Sequence, residues 1–233
     1  MPDYAQELAR AQREVMQPTT GAAMCGWRDE LQRRLDTSVE QAAPTLAALI
    51  VTLTPEQLRH LEAKLGKNGV EMRGDFAQAD RAERAQASFK RTLERYEMLY
   101  GRLDESQRAR LAQALAASPF DADRWLAERE RRIADLVRTL GAVAASGDMM
   151  QAQAAVRVLA ERAIRSPRAD YRAYQERLTR ENCALAAEMH NQMTPAQRGH
   201  ARNKLKGWED DLRLLAASPV NGANGAALGS SSR

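Results

Sequence analysis

Apolar residues return every three or four positions along this chain, and no stretch keeps the two-residue alternation of a half-buried strand. That period predicts helices from end to end. A short first helix runs from Tyr4 to Met16 and stops at Pro18. Trp27, Leu31, Leu35, Val39 and Ala42 stripe a second, which Pro44 is expected to break, and Leu46, Leu49, Ile50 and Leu53 make a short buried third. Leu58, Leu61 and Leu65 open the next; its passage through Gly66, Gly69 and Gly74 stays open, since each interior glycine costs a helix up to about 1 kcal/mol. Later stripes run from Phe89 to Leu103, from Leu111 to Leu115, and from Leu126 to Val143. Three more run from Val156 to Ala163, from Tyr171 to Met189, and from Ala201 to Leu215. No Gly/Pro-rich linker interrupts them before residue 218. The pattern therefore predicts an all-α fold, a single multi-helix bundle of about eight to ten helices over residues 1–217. Residues 218–233, rich in Gly, Ser and Asn, are expected to form a flexible, disordered C-terminal tail.

Three helix starts share one spelling. An apolar residue precedes Thr or Asp, and Gln follows three positions later: Thr54 with Gln57, Asp104 with Gln107, and Thr194 with Gln197. In a capping box the Thr or Asp oxygen accepts from the backbone N–H three residues on, and the Gln reaches back to the cap's own N–H. Pro55 and Pro195 occupy the first helical position, where a missing N–H costs nothing. Leu65, Leu115 and Leu205 each lie eleven residues past their cap, and His60 and His200 each six past theirs. A capping box announces a helix and, by itself, no function.

Composition narrows the class without naming a reaction. The 233 residues are 44% hydrophobic and 28% charged, which suits a globular core and excludes a disordered or collagen-like chain. No run approaches the 18 apolar residues a membrane span needs. The net charge is +4, and seven arginines between Arg157 and Arg180 face only Glu161, Asp170 and Glu176. Within that stretch Arg162, Arg165, Arg168 and Arg172 could make an anion-binding surface, although intermixed charges more often coat a solvated face. The excess is too small to favour nucleic acid as the partner.

Candidate chemistry is sparse. Cys25 and Cys183 belong to no metal-spaced cluster; they could pair in an oxidising compartment or remain ordinary thiols in a cytosol. Cys183, Met189, His190 and Met193 form a soft-ligand run, and His60 with His200 a possible pH-sensitive pair, but cores and solvated rims account for these residues as well. Glu128, Glu130, Glu209, Asp210 and Asp211 supply carboxylates without an adjoining nucleophile or phosphate-cradling loop, so no enzyme, cofactor or metal is expected. Asn68, Arg73, Asp75, Asp80, Arg81 and Arg84 crowd a polar, glycine-interrupted segment that should bury little. It is a candidate partner surface, with Asn68, Arg73, Arg81 and Arg84 as its reach.

The Leu-Thr-Pro-Glu-Gln start at residues 53–57 resembles the LTxxQ signature of small periplasmic helical proteins of the Spy and CpxP type, which are envelope-stress chaperones and regulators. More of the chain, roughly residues 2 to 215, resembles an uncharacterised family of proteobacterial lipoproteins built on a domain of unknown function. That likeness runs through Cys25 with Trp27, Lys67-Asn68, Leu99 to Leu103, Ala117 to Phe120, Asn182-Cys183, Thr194 to Arg198 and Gly207-Trp208. The resemblance implies a periplasmic protein, outer-membrane anchored through a lipobox cysteine upstream of these residues, with Cys25 and Cys183 disulfide-bonded. A cytoplasmic location is the alternative. Expected, on this footing, is a non-enzymatic helical protein that binds a protein or peptide in chaperone-like fashion. The rivals are a purely structural lipoprotein domain and a cytosolic nucleic-acid binder using Arg157–Arg180.

Overall fold

The computed structural model describes residues 4–217, and the expected C-terminal tail lies outside them. Among the described residues there are nine helices and no strand. They are α1 (Tyr4–Glu14), α2 (Gly21–Ile50), α3 (Pro55–Phe76), α4 (Arg81–Tyr100), α5 (Glu105–Ala116), α6 (Ala122–Ser146), α7 (Met149–Ile164), α8 (Ala169–Asn191) and α9 (Pro195–Ala217).

The break predicted at Pro44 is absent, and the open passage through the glycines of α3 is helix. α2 runs on through Pro44, so the second and third stripes are one helix of 30 residues, about 45 Å long. Proline there removes one backbone bond at a cost of about 3 kcal/mol. Burial of Ala43, Ala47 and Ile50 against α6 and α7 on both sides of it offsets that cost. α3 likewise continues through its three glycines to Phe76, which packs 5.0 Å from the Trp125 ring of α6. The polar, glycine-interrupted segment is therefore mostly helix, with a turn only at residues 77–80.

The helices gather around two apolar clusters. The first takes Val15, just past α1, with Tyr100, Leu103, Leu111, Met189, Met193, Ala201 and Leu205 from α4, α5, α8, α9 and the connections within the α4–α5 and α8–α9 pairs. At its centre two capping boxes meet. Gln107 and Gln197 exchange amide bonds, each Nε2 donating to the other's Oε1 at 2.9 Å. Each Oε1 also accepts from its own cap's N–H, Asp104 or Thr194. Each Nε2 donates again to the carbonyl two residues before the opposite cap, Gln192 or Arg102. The same 90-residue spacing pairs residues of the surrounding shell: Tyr100 and His190, Leu103 and Met193, Leu111 and Ala201. The α4–α5 and α8–α9 hairpins are thus joined by a local two-fold exchange of polar bonds inside an apolar shell.

The second cluster takes Ala43, Ala47, Ile50, Leu140, Val143, Ala152 and Val156 from α2, α6 and α7, with Leu58 and Leu61 of α3 packed against it. α2 connects the two ends. Its N-terminal part lies on α8 through the Cys25–Cys183 disulfide, and its C-terminal part enters the second cluster. α1 packs along α9 and reaches α2 through polar contacts, Glu7 to Arg34 at 2.6 Å and Glu14 to the Trp27 indole at 2.8 Å.

Candidate functional site

Most of the sequence-level candidates turn out to be parts of the frame. The soft-ligand run is used up: Cys183 is disulfide-bonded, while Met189 and Met193 are core. His190, 2% exposed, bonds Tyr100 Oη through Nδ1 at 2.9 Å and the Gln17 carbonyl through Nε2 at 2.8 Å. A carbonyl only accepts, so Nε2 carries the proton and Tyr100 donates to Nδ1. Burial pushes the Tyr100 phenol up to about 12, so it remains a donor at ordinary pH. His60 is exposed on α3, while the His200 ring lies over Gly101, whose φ of +76° closes α4. No hydrogen bond or ring contact joins the two histidines among the described residues.

The carboxylates are also engaged. Glu209 accepts from Gln12 at 2.6 Å and from Arg213 at 2.8 Å, and these bonds hold it below the usual carboxylate range. Glu128, 1% exposed, takes Arg132 on one oxygen at 3.1 Å and Arg168 on the other at 2.6 Å. Burial pushes this carboxyl up, and the bonds from Arg168, Ser166 and Arg132 more than offset it, leaving it ionised below its ordinary pKa.

The polar segment does not converge. Asn68 and Arg81 stand exposed on α3 and α4. Arg73 clips α3 to α6 through Glu130 at 2.7 Å, and Arg84 closes the turn through the carbonyls of Gln78 and Ala79. The arginine patch is dispersed too. Arg168 is folded onto Glu128, and Arg172 caps the connection before α8 by donating to the carbonyls of Ser166 and Pro167. Arg162 and Arg165 fall on opposite sides of α7, lining different hollows.

What the fold does assemble is a groove alongside α2. Two hollows of about 480 and 370 Å³ share Gln32, Asp36, Ile164 and Arg165 and so form one trough. α2 lines it from Cys25 to Glu40, a length of about 22 Å. Val39, Val158 and Ile164 give it an apolar floor, and Arg28, Arg33, Arg157, Arg165, Arg172 and Arg180 an arginine-bearing rim. Several of these are tied: Arg157 to Glu40 at 2.7 Å, Arg28 to Asp29 at 2.9 Å, and Arg33 to Glu30. The side chains of Arg165 and Arg180 have no hydrogen-bond or ion-pair partner among the described residues. Charge density along the chain does not mark the α2 side of this trough; its only local signal is the spacing of four that puts Arg28, Gln32 and Asp36 on one face.

These features define a disulfide-linked, all-helical bundle with a surface groove lined by arginines and carboxylates. The chain belongs to DUF6279, a family of unknown function, whose family model matches residues 1–153. Cys25 and the boxes at Thr54 and Asp104 fall within the matched stretch, while Cys183 and the box at Thr194 fall beyond it. No curated protein and no solved structure matches the chain. No described helix is long and apolar enough to cross a membrane.

Proposed function

We propose that this chain is a non-enzymatic periplasmic protein that holds an extended segment of another protein in the α2–α7–α8 groove, in the manner of a chaperone. The observation that carries the reading is the trough itself, an apolar floor between charged rims in which the side chains of Arg165 and Arg180 have no partner among the described residues. Its length suits about seven residues of extended chain at ~3.3 Å each. Apolar side chains would lie on Val39, Val158 and Ile164, and acidic residues flanking them would meet the arginines, giving charge-assisted bonds where the rim is least satisfied. The Cys25–Cys183 bond supports an oxidising compartment, since such bonds persist there and are rare in reducing cytosols.

Aggregation of a chemically unfolded client, followed by light scattering at one to five molar equivalents of this protein, tests the proposal. Suppression that is relieved by a competing peptide with an apolar centre and acidic ends is the expected result. No suppression across several clients, or suppression indifferent to that peptide, would refute it. Binding to duplex DNA with a steep salt dependence, uncompeted by peptide, would support the nucleic-acid reading instead.

A further inference from the structure

We infer that a second site, on the opposite side of α7, takes a small amphiphilic anion, a carboxylate borne on a short aliphatic chain. A hollow of about 350 Å³ lies between α6, α7 and the start of α8, near the lower end of the range for small-ligand sites. Leu65, Ile133, Leu136 and Leu159 give it aliphatic walls, and the rings of Trp125 and Tyr171 line it too. Arg129, Arg132 and Arg162 converge on the same space.

The charge balance there selects an anion. Its two carboxylates are already paired, Glu128 with Arg132 of the lining and Arg168 from outside it, and Asp135 with Arg138. Arg129 and Arg162 have no acidic partner among the described residues. Among the lining arginines, the Nε of Arg129 and the Nη2 of Arg132 have no hydrogen-bond partner among the described residues. Guanidinium groups without an acidic partner favour an anion that brings its own oxygens to them. Two oxygens of one carboxylate match the paired N–H geometry of arginine, and the aliphatic walls match a single chain. Arg162 is exposed at the rim, so the head group would sit toward solvent and the chain toward Leu136 and Leu159. This site shares no lining residue with the groove of the proposed function.

Titration calorimetry of the full chain with octanoate, kept below its micellar concentration, tests the inference against two controls: octanol, which lacks the charge, and acetate, which lacks the chain. One octanoate should bind per chain, with both controls at least tenfold weaker, and the Trp125 indole N–H resonance should shift with octanoate alone. Arg129→Gln with Arg162→Gln, at side chains without an acidic partner among the described residues, should weaken octanoate at least tenfold without lowering thermal stability. Ala163→Leu, which adds bulk at the exposed mouth, should abolish the shift. Equal binding of octanol and octanoate would overturn the inference. So would undiminished octanoate binding by the double arginine variant, or a shift that survives in folded Ala163→Leu.

Discussion

His190 is neutral because its two bonds require a single tautomer. Protonation would put a second donor opposite Tyr100, and burial already lowers the histidine pKa below its ordinary 6.5, with Arg198 adding repulsion and the Gln17 carbonyl opposing them. A lowered pKa means the unfolded chain binds the proton first on acidification. The stability it contributes is complete above about pH 6.5 and is lost as pH falls from there through the folded value. Denaturant midpoints across pH 4.5–7.5 should therefore decline below pH 6.5 in the wild type, and His190→Gln should flatten that limb. Glu128 behaves in the same direction lower on the scale: its folded pKa is depressed, so its contribution is present above 4.5 and fades as pH falls further. Glu128→Gln leaves Arg168 and Arg132 facing an amide, both still partly reached by solvent. A loss of about 2 kcal/mol is expected from urea melts.

At the scale of elements, the exchanged glutamines determine how two hairpins meet. Gln107 is 2% exposed, so truncating either amide strands its partner inside the cluster. Gln107→Ala and Gln197→Ala should each cost about 2 kcal/mol, and the double variant about 1 kcal/mol less than their sum. Additive costs in that cycle would show the pair to be uncoupled. All three boxes were legible, because cap chemistry is local and its spelling is short. The meeting of two of them was not legible, since nothing local says which helix starts share a core. A related start went unread at Asp148 and Gln151, where the apolar residue before the cap is replaced by Gly147 and Gln151 bonds the Asp148 side chain at 3.0 Å. Pro44 misled for the opposite reason: local chemistry argues for a break, and the packing of Ala43, Ala47 and Ile50 overrides it. For the site, Arg165 and Arg172 were picked out from charge density alone, whereas the α2 wall needed the long-range contact with α7 and α8 to become a groove.

The whole molecule is tied by α2 and one covalent cross-link. Cys25 and Cys183 are 158 residues apart with Cα atoms 5.5 Å apart, and closing so long a loop restricts the unfolded chain by about 5 kcal/mol in the entropic description. Cys25→Ser with Cys183→Ser should lower unfolding stability by up to about that amount. Gly21 marks how closely α2 and α8 approach beside the bond, since a Cβ there would meet the Ala184 backbone at 3.3 Å. Gly21→Ala should force the helices apart and lower the melting temperature, even with the disulfide intact. The groove lies beside this junction, with Cys25 in its wall, so its shape depends on the same contact. Its charge is the feature most directly open to test. Arg165→Glu with Arg180→Glu changes two exposed, unpartnered side chains and should leave the fold intact. Fluorescence anisotropy with a labelled peptide of apolar centre and acidic ends should show at least tenfold weaker binding by this variant. A partner peptide with basic ends should bind it more tightly than it binds the wild type. Equal affinity of wild type and variant for the acidic peptide would contradict the assignment of the groove as the binding site.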